Sequence, residues 1–310
     1  MSKIFISGGA GVIGRCLVKD LYELGHELFV GDLKEKPIEF NEFNINYWKG
    51  DLNNLKPKEI QDFAPDYFVH LAAAFERTEE NFNFWKESFN NNVLLSNNLM
   101  TTIMSLNSLK KVVYASSYLI YDEDLYLSKK PKKPVKLNEQ SPLNPRNLTG
   151  IAKLLHEKEL DFIENKSPNK FDIASLRIFR GYGVGSRDII SRWARALIND
   201  QEIYVYNEAN SFDYIFCQDA SSAIVKVLFS DKATGKMNVS YGKSVKISEV
   251  IKIFEKKFPN AKILKKDVEL PFENSIADLS RLRKVTGWKP ENDIEKGISK
   301  IIDYEISKIG

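Results

Sequence analysis

The chain has 310 residues, 43% of them hydrophobic, enough to bury a large core, and that length implies one large domain with a smaller one beside it. Its 45 Lys and Arg against 42 Asp and Glu leave a formal charge of +3, which makes no broad electrostatic case for a nucleic-acid partner, and none is expected. No apolar run approaches membrane-spanning length, and Met-Ser-Lys leads at once into an apolar strand, so neither a membrane partner nor a signal peptide is expected.

The first element is a β-rich run, Ile4 to Ile6, stopped by Ser7-Gly8-Gly9 and followed by an amphipathic helix to about Leu24. Gly8, Gly11 and Gly14 fall at every third position. A strand, tight turn and helix so spaced let the backbone approach a pyrophosphate and the helix pack on the strand, while the helix N-terminus offers free N–H groups to the anion. Asp32 closes the next apolar run, Leu28 to Gly31, roughly twenty residues past the glycines. A carboxylate there accepts both hydroxyls of an adenosine ribose and repels a 2′-phosphate, which favours NAD over NADP, although Lys34 weakens that preference. Its plainer reading is a turn residue after a strand. Cys16 and Cys217 lack metal-ligand spacing and read as buried thiols on a helix and a strand, in a reducing compartment, the cytoplasm. No metal site is expected.

Helix-period and strand-period segments alternate through the first half, which predicts a parallel sheet with helices on both faces. Asp51, just after a third strand, suits either the adenine amino group or a helix cap. Tyr67 to Leu71 reads as a buried strand ending in Ala72-Ala73-Ala74, small residues that keep the carboxyl edge of the sheet open; His70 within it reads as a satisfied core residue. A helix is expected from about Phe89 to Leu106, with an unusual Asn90–Asn92 start.

Lys111 to Ser116 is the next strand, delivering Ser116 and Ser117 to the same edge as the glycine turn. The lysines and prolines between Ser128 and Lys136 read as a solvated loop. A helix from about Asn147 to Asn165 sets Thr149 and Lys153 one turn apart on one face, and the apolar neighbours of Lys153 suggest a partly buried ammonium. Beyond the strand Ile173 to Phe179 come Arg180, Arg187, Arg192 and Arg195, which either form surface ion pairs or grip a diphosphate. Strands at Ile203–Tyr206 and Tyr214–Phe216, then short strands and amphipathic helices from Met237, close on Gly287-Trp288-Lys289-Pro290 and a helix from Ile294.

Taken together, Ser7 to Gly14, Asp32, Gly50-Asp51-Leu52, His70-Leu71-Ala72-Ala73, Asn92-Val93 and Ala115-Ser116-Ser117 with Ile120-Tyr121 resemble the extended short-chain dehydrogenase/reductases, specifically the nucleotide-sugar epimerases, dehydratases and reductases. Lys153, Leu176-Arg177, Tyr182-Gly183, Asp213-Tyr214-Ile215 and Gly287 to Pro290 extend the resemblance over nearly the whole chain. It implies an α/β fold, a Rossmann-type doubly wound parallel sheet over 1–178 that binds NAD, with part of 212–240 returning to it. A smaller C-terminal α/β substrate domain would occupy 179–310.

By position, the resemblance implies that Gly8, Gly11, Val12 and Ile13 face the pyrophosphate, Asp32 and Leu33 the adenosine ribose, and Asp51 and Leu52 the adenine. Leu71, Ala72, Ala73, Asn92, Ala115 and Phe179 would line the cofactor, and Lys153 would bond the nicotinamide ribose. Ser117 matches the hydroxyl that contacts the sugar oxygen, and Phe75, Tyr118, Arg180, Arg187, Arg192 and Tyr204 complete the expected substrate contacts. The partner is a nucleotide-diphosphate sugar, and the helices at about Asn92–Leu106 and Gly150–Asn165 imply a homodimer.

Three positions depart from the family pattern. The catalytic Tyr four residues before the Lys is Thr149, the usual Asn is Arg180, and the usual Arg before Asp213 is Phe212. An aliphatic hydroxyl does not titrate near neutrality, so Thr149 is a poor general base. Tyr118-Leu119 replaces the Asp-Glu pair of the dehydratases, which argues against water elimination. The expected function is hydride transfer between NAD and a sugar carbon, C4, by an oxidoreductase or epimerase. Ser117, Thr149 and Lys153 would form a relay, with Tyr118, Tyr121 or a water carrying the proton. The rival reading is a catalytically degenerate member that binds NAD or a nucleotide sugar as a sensor or assembly partner.

Overall fold

In the computed structural model, which describes residues 1–75, 80–166, 170–266 and 268–309, seven parallel strands form the central sheet. They are β1 (Lys3–Ser7), β2 (Glu27–Asp32), β3 (Asn46–Lys49), β4 (Tyr67–His70), β5 (Lys111–Ser117), β6 (Asp172–Ile178) and β7 (Gly235–Val239). Their spatial order is β7-β6-β5-β4-β1-β2-β3. The order reverses between β1 and β4, so a crevice opens at the carboxyl ends of those two strands, where ligands of such sheets bind.

The strands read as near-continuous apolar runs because both faces of the sheet are covered. Along β1 the pleat sends Ile4 and Ile6 to one face and Phe5 to the other. Ile4 and Ile6 pack with Leu17, Val18 and Leu21 of the helix Val12–Glu23, which lies against the helix Cys217–Leu228. Phe5 stacks on Phe68, ring centroids 5.1 Å apart, and shares its core with Leu99 and Ile103. Each such side chain contributes about 1.5–3 kcal/mol by its burial.

A second core, around Trp193, Phe254 and Ile298, is built by the helices Ile189–Ile198, Ile247–Lys257 and Ile294–Ile306. The strand Ser211–Phe216 joins it, parallel to Arg180–Tyr182 and antiparallel to Ser244–Lys246. From there the chain returns, and β7 pairs with β6 in the main sheet.

Two expectations are corrected. Cys217 does not lie on a strand: the strand ends at Phe216 in extended conformation, and Cys217 opens a helix whose first turn carries Asp219, an acid that favours a helix start. The helix expected at Phe89–Leu106 begins earlier, at Phe82–Ser88, passes through a π-helical turn at Phe89–Leu94 and continues as Leu95–Ile103. The asparagines sit in that widened turn, a feature of functional sites. The lysines from Lys129 to Lys133 are exposed, as a solvated loop requires. Among the described residues no helix is long and apolar enough to cross a membrane.

Candidate active site at the carboxyl edge of the sheet

Gly8 ends β1 at φ +83° and donates to the Gly31 carbonyl at 2.7 Å. A Cβ there would lie 2.6 Å from the Ala72 nitrogen, and one at Gly14 would lie 2.8 Å from the Gly9 carbonyl, so both positions exclude side chains. Gly11 caps the helix Val12–Glu23 without a side-chain bond, and no acidic residue enters its first turn. The N–H groups beside Val12 and Ile13 are therefore open to an anion. Asp32, buried, accepts from the Ala10 nitrogen at 2.8 Å and the Lys34 nitrogen at 3.0 Å, tying the glycine turn to the end of β2. Leu33 beside it is exposed. Asp51 accepts from the Asn53 nitrogen at 3.0 Å as a helix cap, and buried Leu52 fills the space under Gly31.

At the exit of β4 the Ser7 carbonyl accepts from Leu71 and Ala72 at 2.9 and 3.0 Å, holding Ala73 and the half-exposed Phe75 at the edge. Asn92 does not face the crevice freely: its Oδ1 accepts from the Ala74 nitrogen at 2.7 Å and its Nδ2 donates to the Ala74 carbonyl at 3.0 Å. It is a backbone clamp, aimed by the π-helical turn. His70 is a satisfied core residue between Ser7 and Ser96, and burial pushes its pKa well down.

At the end of β5, Ala115 and Ser116 are buried and Ser117 is half-buried, its Oγ accepting from the Leu119 nitrogen at 3.2 Å. The helix Leu148–Lys166 brings Thr149 and Lys153, both buried, to this edge. The Thr149 Oγ1 has no hydrogen-bond partner among the described residues. Lys153 likewise makes no ion pair among them; its Nζ lies 4.8 Å from the Tyr114 ring centroid, and burial pulls its pKa down to about 8. The register Ser117 to Ile178 between β5 and β6 sets Phe179 and Arg180 beside Tyr118, and Phe179 stacks on the Tyr118 ring at 5.1 Å.

The phenols expected to carry a proton are both engaged. Tyr118, 4% exposed, donates to Glu273 Oε1 at 3.0 Å and accepts from Arg146 Nη2 at 3.1 Å; burial pushes it up to about 12. Tyr121 donates to Asn238 Oδ1 at 2.6 Å and accepts from Arg177 Nη1 at 3.2 Å, and burial pushes it too up to about 12. Neither exchanges a proton readily at neutral pH.

The four arginines do not share one grip. Arg180 donates to Glu273 Oε2 at 2.7 Å, and its guanidinium carbon lies 3.9 Å from the Phe212 ring centroid. Arg195 pairs with Glu305 at 2.9 Å and donates to the Ser186 carbonyl, while Arg187 and Arg192 are exposed and make no ion pair among the described residues. Tyr204 bonds Glu202 on the outer face of its strand, under Lys266.

The sequence reading missed Arg146, Glu273 and Glu80. Glu80 Oε2 accepts from the Leu148 nitrogen at 2.7 Å at the head of the helix carrying Thr149, and its Oε1 is buried without a partner among the described residues. Arg146, three positions before Thr149, had a signal in its place just ahead of the helix; Glu273 had none. Cys16 and Cys217, distant in sequence, bond through their thiols, and that contact with burial pushes Cys16 up. Among the described residues no cluster of His, Cys, Asp or Glu is placed to hold a metal.

The family described as "NAD dependent epimerase/dehydratase family" matches residues 4–240. A dTDP-4-dehydro-6-deoxyglucose reductase of Escherichia coli is 25% identical, covering 96% of each chain. A putative UDP-glucose 4-epimerase of Methanocaldococcus jannaschii is 24% identical, covering 97% of each. In fold, the chain is similar to MoeE5 in complex with UDP-glucose and NAD, with a TM-score of 0.86 at 22% identity over 99% of this chain and 100% of that one.

Proposed function

The chain belongs to the NAD dependent epimerase/dehydratase family, and from that premise we propose that it moves a hydride between NAD and C4 of a nucleotide-diphosphate sugar, as an oxidoreductase or an epimerase. The observation that carries this reading is the pair Thr149 and Lys153, two buried polar groups one helical turn apart: among the described residues the Thr149 hydroxyl has no hydrogen-bond partner, and Lys153 makes no ion pair and lies over the Tyr114 ring. A buried cation without a counter-charge is costly unless a ligand meets it.

The side-chain-free glycine turn and the uncapped helix N-terminus fit a dinucleotide. Gly8, Gly11, Val12 and Ile13 would hold the pyrophosphate, Asp32 and Leu33 the adenosine ribose, Asp51 and Leu52 the adenine. Leu71, Ala72, Ala73, Ala115 and Phe179 would line its path, with Asn92 positioning Ala74, and Lys153 would bond the nicotinamide ribose. Bound NAD supplies the hydride acceptor or donor.

The chain's own work is the proton. When a sugar hydroxyl is oxidised, its proton passes to a group that is partly neutral at the working pH. With Tyr118 and Tyr121 held near 12 and Lys153 near 8, the Lys153 amine takes that role, Ser117 holding the sugar oxygen and Thr149 relaying the proton. Near neutrality most of the lysine is still protonated, which suits slow turnover.

Residues 1–178 with the returning helix and strand form the cofactor part, and the rest the substrate part. Exposed Trp85, Phe89, Ile151, Leu155 and Phe162 on the two helical segments suit a second copy of the chain, so Phe162→Glu shifts a dimer toward monomer in sedimentation. The deciding experiment denatures the purified protein and identifies the released dinucleotide, then follows reduced-nicotinamide absorbance with a panel of nucleotide sugars. NAD release and a sugar-dependent signal are expected; a protein that neither carries nor takes up NAD overturns the proposal.

A further inference from the structure

One residue after Ser117 and three before Thr149, Tyr118 and Arg146 belong to a charge cluster that the hydride-transfer reading does not use. Glu273, 4% exposed, is bonded by Arg146 Nη1 at 3.0 Å, Arg180 Nη2 at 2.7 Å, Arg180 Nε at 3.4 Å and the Tyr118 hydroxyl at 3.0 Å. Burial alone would raise its pKa, but the two guanidiniums outweigh that and hold it below the usual carboxylate range. Both carboxylate oxygens are saturated. Two guanidiniums thus face one carboxylate, and no other carboxylate among the described residues makes an ion pair with either.

The excess positive charge is not loose on the surface. The Arg146 side chain is 18% exposed and that of Arg180 36%. Arg180 lies over the Phe212 ring, and Arg146 lies over Tyr118 and Tyr126 at 5.8 and 5.3 Å. Stacked and bidentate, the Arg180 fork is fixed in direction, and its Nη1 has no acceptor among the described residues. A half-buried cation held rigidly with a free donor is matched by an oxyanion.

We propose that Arg146 and Arg180, oriented by Glu273, form a recognition site for an anionic oxygen group carried on the sugar of the substrate, the carboxylate of a uronic acid being the simplest case. This rests on the nucleotide-sugar reading above. The place of the cluster assigns the anion to the sugar and not to the diphosphate. Tyr118 follows Ser117 directly and Arg146 precedes Thr149 by three positions, so the cluster borders the reacting carbon, whereas a diphosphate lies a sugar ring away from it. The site thereby selects a charged sugar over its neutral counterpart, by about tenfold or more for a charge-assisted contact.

The test is calorimetric binding of UDP, UDP-glucose and UDP-glucuronate to the NAD-loaded full-length protein, with Arg180→Met and Arg180→Lys beside the wild type. NAD content checks the underlying reading separately, because a protein that carries no NAD fails there first. The expected result is UDP-glucuronate at least tenfold tighter than UDP-glucose, with the preference lost in Arg180→Met, partly kept in Arg180→Lys, and UDP binding unchanged within twofold. Arg180→Met leaves Glu273 paired one to one with Arg146, so its fold should survive, as circular dichroism would show. Equal or undetectable affinity for the two sugars in an NAD-loaded protein overturns the proposal. So does a loss in Arg180→Met that UDP shares, which would assign the cluster to the diphosphate.

Discussion

The two sides of the crevice are built differently. Around the glycine turn the backbone does the positioning: Gly8 and Gly14 admit no side chain, and Asp32 ties the turn to β2 by bonds to backbone nitrogens only a short way along the chain. On the far side the site is built from side chains that meet across long stretches of sequence. Arg146 and Glu273 stand 127 positions apart, and Tyr121 and Asn238 117. A site made from backbone geometry tolerates little variation, whereas one made from side-chain pairs can be rewritten a few residues at a time.

The largest expected effect falls on the side-chain half. Glu273→Gln removes the only carboxylate among the described residues between two half-buried guanidiniums, and breaking such a pair costs about 3–5 kcal/mol. Urea unfolding of the variant measures it; a change under 1 kcal/mol would show that the cluster is solvated and the contrast between the two sides overstated.

Next comes the pH dependence of the cofactor-free protein. The folded pKa of Lys153 is about 8, below its unfolded value. Below pH 8 both states hold the proton and the full cost of burying the ammonium is present. Between about pH 8 and about pH 10.4 the unfolded chain holds more protons, so stability rises with pH, by up to about 3 kcal/mol. Subtracting the same titration of Lys153→Met isolates this contribution, since that variant should lack the rise.

On the backbone half, Gly8→Val places a β-branched residue at φ +83° against the Ala72 nitrogen. The conformation alone costs roughly 1–3 kcal/mol, and NAD retention after purification should fall with it. Retention at the wild-type level would break the claim that the turn is fixed by its backbone. The smallest effect is expected at Thr149→Val: the hydroxyl has no partner among the described residues, so stability should stay within about 1 kcal/mol, while turnover on the true substrate slows.

The same contrast decides what could be read from the sequence. The glycine spacing, Asp32, the buried strand from Tyr67 and the placing of Thr149 with Lys153 on one helical face follow from local periodicity, and a parallel sheet follows from the alternation of helix-period and strand-period segments. The Asn90–Asn92 turn was visible only as an oddity, because a π-helical widening needs the tertiary partner, Ala74, that Asn92 clamps. Tyr118 and Tyr121 looked free because nothing near them in sequence announces Glu273, Arg146 or Asn238. Whether Arg195 made an ion pair or met a ligand stayed open because Glu305, on a helix 110 positions later, was out of view.

The central claim is that Lys153 is a buried amine, unpaired among the described residues, at the proposed cofactor site. Carbon-13 lysine labelling, with the Lys153 resonance assigned by Lys153→Arg, reads it directly and needs no substrate. A midpoint near 8 in the cofactor-free protein that shifts when NAD is added is the predicted result; a midpoint near the ordinary lysine value, about 10.4, indifferent to NAD, would contradict it.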